Sequence, residues 1–296
     1  MKKDLITIKD LDKKEINELY ELASQLKLKR KTHEKSLENK AIGLIFEKPS
    51  NRTRVSFEVG MYELGGYSIY LGSDEIKLGK RESVKDAARV LSRYLDGLVV
   101  RTFTHDRLLE IAKYSSVPVI NGLTDLLHPC QALTDIFTIK EKKGLKGITL
   151  TFIGDGNNVA NSLLYGCWKM GIKVNVACPE THQPNKGILK EVGGSVSLFD
   201  SAREAAKGAD VIYTDVWTSM GQEKEHKKRL EVFKDFQVDA KILNMAKKDA
   251  IVMHCLPAHR GEEITDEVLD GEQSVVIDQA ENRLHVQKAI LVKLLK

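Results

Sequence analysis

Cysteine is scarce in this sequence: Cys130, Cys167, Cys178 and Cys255 are the four, and no two form a C-x-x-C pair. That density excludes a disulfide-stapled secreted domain, so reduced thiols in a cytosol are expected. Long apolar runs are missing too. No stretch of about 18 apolar residues occurs, and Met1-Lys2-Lys3-Asp4-Leu5 opens without an apolar segment of about 7 to 15 residues; neither a membrane span nor export is expected. Charge of one sign is not in excess either. The 46 Lys and Arg against 42 Asp and Glu leave a formal +4, too small and too evenly spread for a nucleic-acid or other polyanion coat. Any anion bound should be small and held locally. Internal repeats and low-complexity tracts are also absent.

What is present is apolar material enough for two cores. At 296 residues and 42% hydrophobic, two domains of roughly 130 to 150 residues each are expected. Asp12 can cap a helix with Glu15 three residues on, and Ile16, Leu19, Ala23 and Leu26 share one face of it. Short apolar runs follow at Ala41–Phe46, Tyr67–Leu71, Leu98–Val100 and Val117–Ile120, separated by stretches of helical period such as Ser83–Leu95. The second half repeats the pattern, with strands at Ile148–Ile153, Lys173–Ala177, Val211–Thr214 and Ala250–Met253 and helices at Asn158–Met170 and Ala202–Lys207. This alternation predicts an α/β fold of two domains, each a parallel sheet flanked by helices. A helix from near His128 to the Glu141-Lys142-Lys143-Gly144 break would connect them. The first domain is expected over residues 1–140 and the second over 141–279, with the amphipathic segment Asn282–Leu295 packing back on the first.

Ligands of open α/β sheets bind beyond the carboxyl ends of the strands, so polar residues after each apolar run are the candidates. In the first half these are Glu47-Lys48-Pro49-Ser50-Asn51-Arg52-Thr53-Arg54, then Arg101, then Asn121-Gly122-Leu123 leading to His128-Pro129-Cys130-Gln131. The second half offers Gly154-Asp155-Gly156-Asn157-Asn158, Asp215-Val216-Trp217-Thr218-Ser219-Met220-Gly221 and His254-Cys255-Leu256-Pro257. Ser50 to Arg54 puts two hydroxyls and two guanidiniums where a strand ends and a helix begins, which suits a phosphate: helix-terminal N–H groups, hydroxyl donors and a bidentate Arg converge. The plain alternative is a Ser50 helix cap with solvated arginines, and Arg54 fits an ion pair with Glu58 one turn on. His128 and Gln131, three apart at a helix start, can face one ligand; alternatively His128 is a helix-entry residue bonded to backbone. Asp215 with Ser219-Met220 offers a carboxylate and a polar loop for an amino acid, or else a capping Asp and a turn.

Phe46-x-Lys48-x-Ser50-x-Arg52-Thr53-Arg54 resembles the carbamoyl-phosphate signature of the aspartate and ornithine carbamoyltransferase family, and His128-Pro129-Cys130-Gln131 its second signature. Asn157-Asn158, Asp215-x-x-x-Ser219-Met220-Gly221 and His254-Cys255-Leu256-Pro257 are similar to the ornithine members rather than the aspartate members. The resemblance runs from about residue 3 to the C-terminus with the motifs in family order. It implies transfer of the carbamoyl group of carbamoyl phosphate to the δ-amine of L-ornithine, without a cofactor or metal, in cytoplasmic trimers or multiples of trimers that bind carbamoyl phosphate first.

The same resemblance implies roles. Ser50, Asn51, Arg52 and Thr53 would take the phosphate, with Arg101, His128 and Thr53 on the carbonyl oxygen and Gln131, the Leu256 carbonyl and Arg283 on the NH₂ group. Leu123, Asn158, Asp215, Ser219 and Met220 would bind ornithine. Cys255 would sit with Asp215 by the reacting δ-amine, or else be a buried inert thiol; adjacency to His254 in a strand does not make a Cys-His dyad. Lys77 lies in a loop that in relatives reaches a neighbouring subunit's site, although a surface lysine is usually just solvated.

Rival readings are an enzyme for putrescine or an N-acylated ornithine, a non-catalytic amino-acid-binding module, and a dinucleotide-binding dehydrogenase built on Gly154-Asp155-Gly156. The last lacks the third glycine, Val159 standing in its place. A metal site on His254, Cys255 and His259 lacks a matched ligand set.

Overall fold

A computed structural model describes residues 3–30, 35–79, 82–218, 221 and 223–296. The chain divides into two units, Met1–Thr134 with Glu281–Lys296, and Asp135–Ala280. Each is built on one parallel sheet. In the first unit β1 (Ala41–Phe46), β2 (Tyr67–Gly72), β3 (Gly97–Arg101) and β4 (Val119–Leu123) stand in the order β2-β1-β3-β4. In the second, β5 (Thr149–Ile153), β6 (Lys173–Ala177), β7 (Val196–Phe199), β8 (Val211–Thr214) and β9 (Ile251–His254) stand in the order β7-β6-β5-β8-β9.

The strands are parallel because helices cross over between them, and parallel strands covered on both faces read as unbroken apolar runs. That is why the inner strands β3 (Gly-Leu-Val-Val-Arg) and β8 (Val-Ile-Tyr-Thr) are buried along their whole length. In both sheets the first strand lies inside. The chain therefore leaves β1 towards β2 and returns to the other side at β3, and it leaves β5 towards β6 and returns at β8. The topological switch points fall between the carboxyl ends of β1 and β3, and of β5 and β8.

The helices follow their sequence signals. Lys13–Leu28 opens on a capping box in which Asp12 accepts from Glu15 N and Glu15 accepts from Asp12 N, and it buries Ile16, Leu19, Tyr20, Ala23 and Leu26. The last helix, Val276–Leu295, begins six residues before the expected Asn282. Its later part packs on the first unit's helices: Lys27 Nζ donates to Asn282 Oδ1 at 2.8 Å, and Lys288 Nζ to Glu63 Oε2 at 2.7 Å. Gly60 permits the close approach. A Cβ there would sit 3.2 Å from Lys288 Cγ and 3.7 Å from Leu284 Cδ1.

Three expectations need correction. Arg101 is the last residue of β3 rather than the first after it. Asn121-Gly122-Leu123 belongs to β4, whose pairing with β3 shifts register between Val100 and Arg101, and Asn121 is fully buried, donating to Ile6 O at 2.9 Å. β7 has no counterpart in the sequence reading, because Val-Ser-Leu-Phe is a four-residue, half-exposed strand at the sheet edge.

The Glu63–Lys288 pair generates a prediction. Lys288 is almost fully buried, and removing its partner strands an ammonium in the interior. Glu63→Ala should cost about 3–5 kcal/mol in urea denaturation, and adding Lys288→Met should recover most of it.

Candidate active site

In the first unit, the helix Asn51–Glu63 starts at the carboxyl end of β1. Ser50 is its N-cap, Oγ accepting from Thr53 N at 3.3 Å. Capping and anion binding coexist here, because the first turn still has N–H groups without intrahelical partners. Asn51 is exposed, Arg52 half-buried and Thr53 buried. Arg54 Nε donates to Glu58 Oε1 at 2.9 Å, the pair expected one turn on, and its guanidinium lies 3.8 Å over the Tyr70 ring. The β1 and β3 ends are tied together by Glu47, whose N–H donates to Arg101 O and whose carboxylate accepts from Thr102 Oγ1 and Arg107 Nη1.

Three further residues of this unit converge on Thr53. Arg283, on the last helix, donates from Nη2 to Thr53 Oγ1 at 3.0 Å and from Nη1 to Gln131 Oε1. Gln131 lies in the first turn of the helix Pro129–Lys143, whose first hydrogen bonds run to the His128 carbonyl. His128, Arg101 and Arg283 are all buried. Burial first, then the charges of Arg283 and Arg101, hold the His128 imidazole well below its ordinary 6.5, so the ring is neutral. Two buried guanidiniums beside a neutral imidazole form a water-poor, positive cluster suited to a small oxyanion. Cys130 is no nucleophile: its thiol donates to Asn121 O, and burial pushes it up to about 12. Leu123, the end of β4, is buried, its carbonyl accepting from Thr102 N. Lys77 is exposed, closing the short helix Ser73–Ile76 with φ 39°.

The second unit builds its own cluster at the β5/β8 switch. Asp215 follows β8 directly, and its carboxylate accepts from Asn157 Nδ2 at 2.7 Å, Cys255 Sγ at 3.0 Å and Val216 N at 2.8 Å. Asn157 is also the N-cap of the helix Asn158–Met170, its Oδ1 accepting from Val159 N and Ala160 N. One side chain thus joins a helix start to the carboxylate. Asn158 is the first helical residue, part-exposed. Gly156 is required here: a Cβ would meet Pro184 N at 2.2 Å and Gln183 C at 2.4 Å. The Gly-Asp-Gly stretch therefore reflects loop packing.

Behind Asp215, Arg229 donates to Asp155 Oδ2 and to Trp217 O, while Trp217 and Phe233 stack at 5.7 Å. Burial raises Asp155 to about 7, with Arg229 opposing and Asp215 adding to the rise. His254 does not act on Cys255. Its Nδ1 accepts from Leu256 N at 2.8 Å, so the ring's hydrogen sits on Nε2 and points to Glu263 Oε1 at 3.0 Å. Both residues are fully buried. They hold the turn in which Leu256 takes φ 57°, a left-handed conformation that costs a non-glycine residue about 1–2 kcal/mol. Ser219 and Met220 lie outside the described residues.

Among the described residues two groups could hold a metal ion, Asp215-His254-Cys255 and His259-Glu262-Glu263. In the first, both nitrogens of His254 are already committed. The sequence places Asn157 in the Asn157-Asn158 motif without a role of its own, and it does not point to Arg229 or Glu263 as organisers of the site. Asn157 carries a signal, an Asn at a strand-to-helix junction; nothing local in the sequence marks Arg229 or Glu263.

Residues 3–141 match the family model described as aspartate/ornithine carbamoyltransferase, carbamoyl-P binding domain, and residues 146–294 match the aspartate/ornithine carbamoyltransferase Asp/Orn binding domain. The chain is 53% identical to ornithine carbamoyltransferase of Methanosarcina acetivorans over 302 residues, covering all of both chains. It is 51% identical to that of Bacillus subtilis, over 99% of this chain and 94% of the other. The solved structure of ornithine carbamoyltransferase from Pyrococcus furiosus superposes with a TM-score of 0.95 at 49% identity, covering 99% of this chain and 96% of that one.

The neutral His128 has a pH consequence. The unfolded ring takes up a proton near 6.5 and the folded ring only well below it, so the unfolded state binds more protons and stability falls as pH drops below about 6.5. His105, His182 and His285 are also shifted down by burial and add to the slope. His128→Gln should flatten the acid limb of a plot of stability against pH by up to about 1.4 kcal/mol per pH unit.

Proposed function

This chain belongs to the aspartate/ornithine carbamoyltransferase family, and from that membership we propose how its residues divide the reaction. The activity is that of an ornithine carbamoyltransferase: the carbamoyl group of carbamoyl phosphate passes to the δ-amine of L-ornithine, giving L-citrulline and phosphate. The observation that carries it is 53% identity along the whole length to an ornithine carbamoyltransferase. The carbamoyl-phosphate domain is assigned to residues 1–140 completed by 280–296, and the ornithine domain to 141–279.

Carbamoyl phosphate brings its own leaving group, so the protein needs to neutralise phosphate, polarise one carbonyl and aim one amine. Ser50, Asn51, Arg52 and Thr53 take the phosphate at the helix N-terminus. Arg101 and His128 stabilise the carbonyl oxygen as it becomes anionic, a role for which a neutral imidazole N–H donor suffices. Gln131, Leu256 and Arg283 set the carbamoyl NH₂ group. The Arg283 bonds to Gln131 and Thr53 support this, because one guanidinium fixes a phosphate-binding hydroxyl and a carbamoyl-binding amide together.

Asn158, Asp215, Ser219 and Met220, with Leu123, take ornithine. The Asp215 carboxylate, with Cys255 as neighbour, orients the nitrogen that attacks. Lys77 is assigned to the neighbouring subunit's site in a cytoplasmic trimer or multiple of trimers. No helix among the described residues is long and apolar enough to cross a membrane.

The division of labour is testable in a citrulline assay. Arg52→Ala should lose carbamoyl-phosphate binding and lower kcat by about 10²–10³. Asp215→Asn should keep carbamoyl-phosphate binding and lose ornithine turnover. Unchanged rates in either refute the assignment. Because the attacking amine must be neutral and a free alkylammonium titrates near ~10.4, wild-type kcat/KM for ornithine should rise from neutral to alkaline pH.

A further inference from the structure

We propose that His226, His259, Glu262 and Glu263 form a binding site for one divalent transition-metal ion of the zinc type, separate from the residues assigned to the reaction. One ring nitrogen of His259 and one oxygen each of Glu262 and Glu263 lie within 4.8 Å of one another. Glu262 also reaches the fourth residue, standing 3.5 Å from His226 Nε2 through Oε1 and 3.5 Å from His259 Nδ1 through Oε2. In a tetrahedral zinc site with bonds of about 2.0–2.2 Å, ligand atoms stand about 3.3 Å apart. The two 3.5 Å contacts are close to that spacing, and the group as a whole lies within 4.8 Å.

Each of the three residues also has one side-chain atom that is buried and without a hydrogen-bond partner: His259 Nδ1, Glu262 Oε2 and Glu263 Oε2. Buried polar atoms are costly unless paired, and three on neighbouring residues of one cluster call for a shared cation. The supporting shell is in place. Glu263 Oε1 is held by His254 Nε2 and His259 N, at 3.0 and 2.6 Å, which leaves its second oxygen to bind. His226 Nδ1 pairs with Thr218 Oγ1 at 3.2 Å; donation from Nδ1 leaves the Nε2 lone pair facing Glu262. Two carboxylates balance a doubly charged ion.

The two imidazole rings are 6.4 Å apart between centroids, about 1 Å more than a tetrahedral pair allows, a distance that rotation of the part-exposed His226 can close. Bound there, the ion would tie the stretch after β8 to the stretch after β9, the two that carry Asp215 and Cys255.

Chelator-treated full-length enzyme titrated with Co²⁺ and followed by its visible d–d bands, with Zn²⁺ titrated by calorimetry, decides the matter. The expected result is one ion per chain, with His226→Asn and His259→Asn each weakening it by about 100-fold or more, since even outer partners of a metal site are worth about 10- to 100-fold. Cys255→Ser should retain it. Circular dichroism of the metal-free variants checks folding, and Glu262→Gln replaces either histidine variant that fails. The proposal is overturned if wild type binds no ion, if binding survives both histidine changes, or if only Cys255→Ser abolishes it, which would put the ion on Asp215 and Cys255.

Discussion

A parallel sheet whose first strand lies inside must send the chain out to one side and bring it back past itself to the other. The loops at the two carboxyl ends then part, and backbone N–H groups of a helix start are left facing the gap. Both units of this chain obey that constraint, at β1/β3 and at β5/β8. Two sets assigned to chemistry hang from those gaps: Ser50 to Thr53 and Arg101 from one, Asn157, Asn158 and Asp215 from the other. Of the neighbouring strands, β4 leads on to His128 and β9 ends at His254.

The two gaps are furnished differently. The first is positive and water-poor, with Arg101 and Arg283 buried around a histidine that their charges help to keep neutral. Arg283 arrives from the far end of the sequence, so the last helix completes a cluster that the first 134 residues leave without it. The second is acidic. Asp215 is steadied by three donors, and its surroundings are held by Arg229 on Asp155 and by the His254–Glu263 pair. A buried ion pair such as Arg229–Asp155 adds little net stability, but breaking it is costly, so it fixes geometry more than it strengthens the fold.

Much of this was legible in the sequence, for identifiable reasons. Strands covered on both faces print as apolar runs, so β1, β5, β6 and β8 were read nearly to their ends. The Asp12-Glu15 capping box marked its helix. Arg54 was readable as structural because its partner, Glu58, is one turn away. What was illegible was non-local or small. β7 is short, edge-lying and half polar. The end of β4 runs on through Asn121-Gly122-Leu123, where the buried Asn121 donates from its amide nitrogen to Ile6 O, a contact 115 residues away in sequence. Arg229 and Glu263 look like surface charges until the fold buries them.

The central claim is that this chain joins the carbamoyl carbon to the δ-nitrogen of ornithine. Purified enzyme supplied with carbamoyl phosphate labelled in the carbamoyl carbon and with L-ornithine should release phosphate and labelled citrulline in equal amounts. Replacing ornithine with aspartate should yield neither. Phosphate released without citrulline, or label appearing on aspartate, would contradict the account.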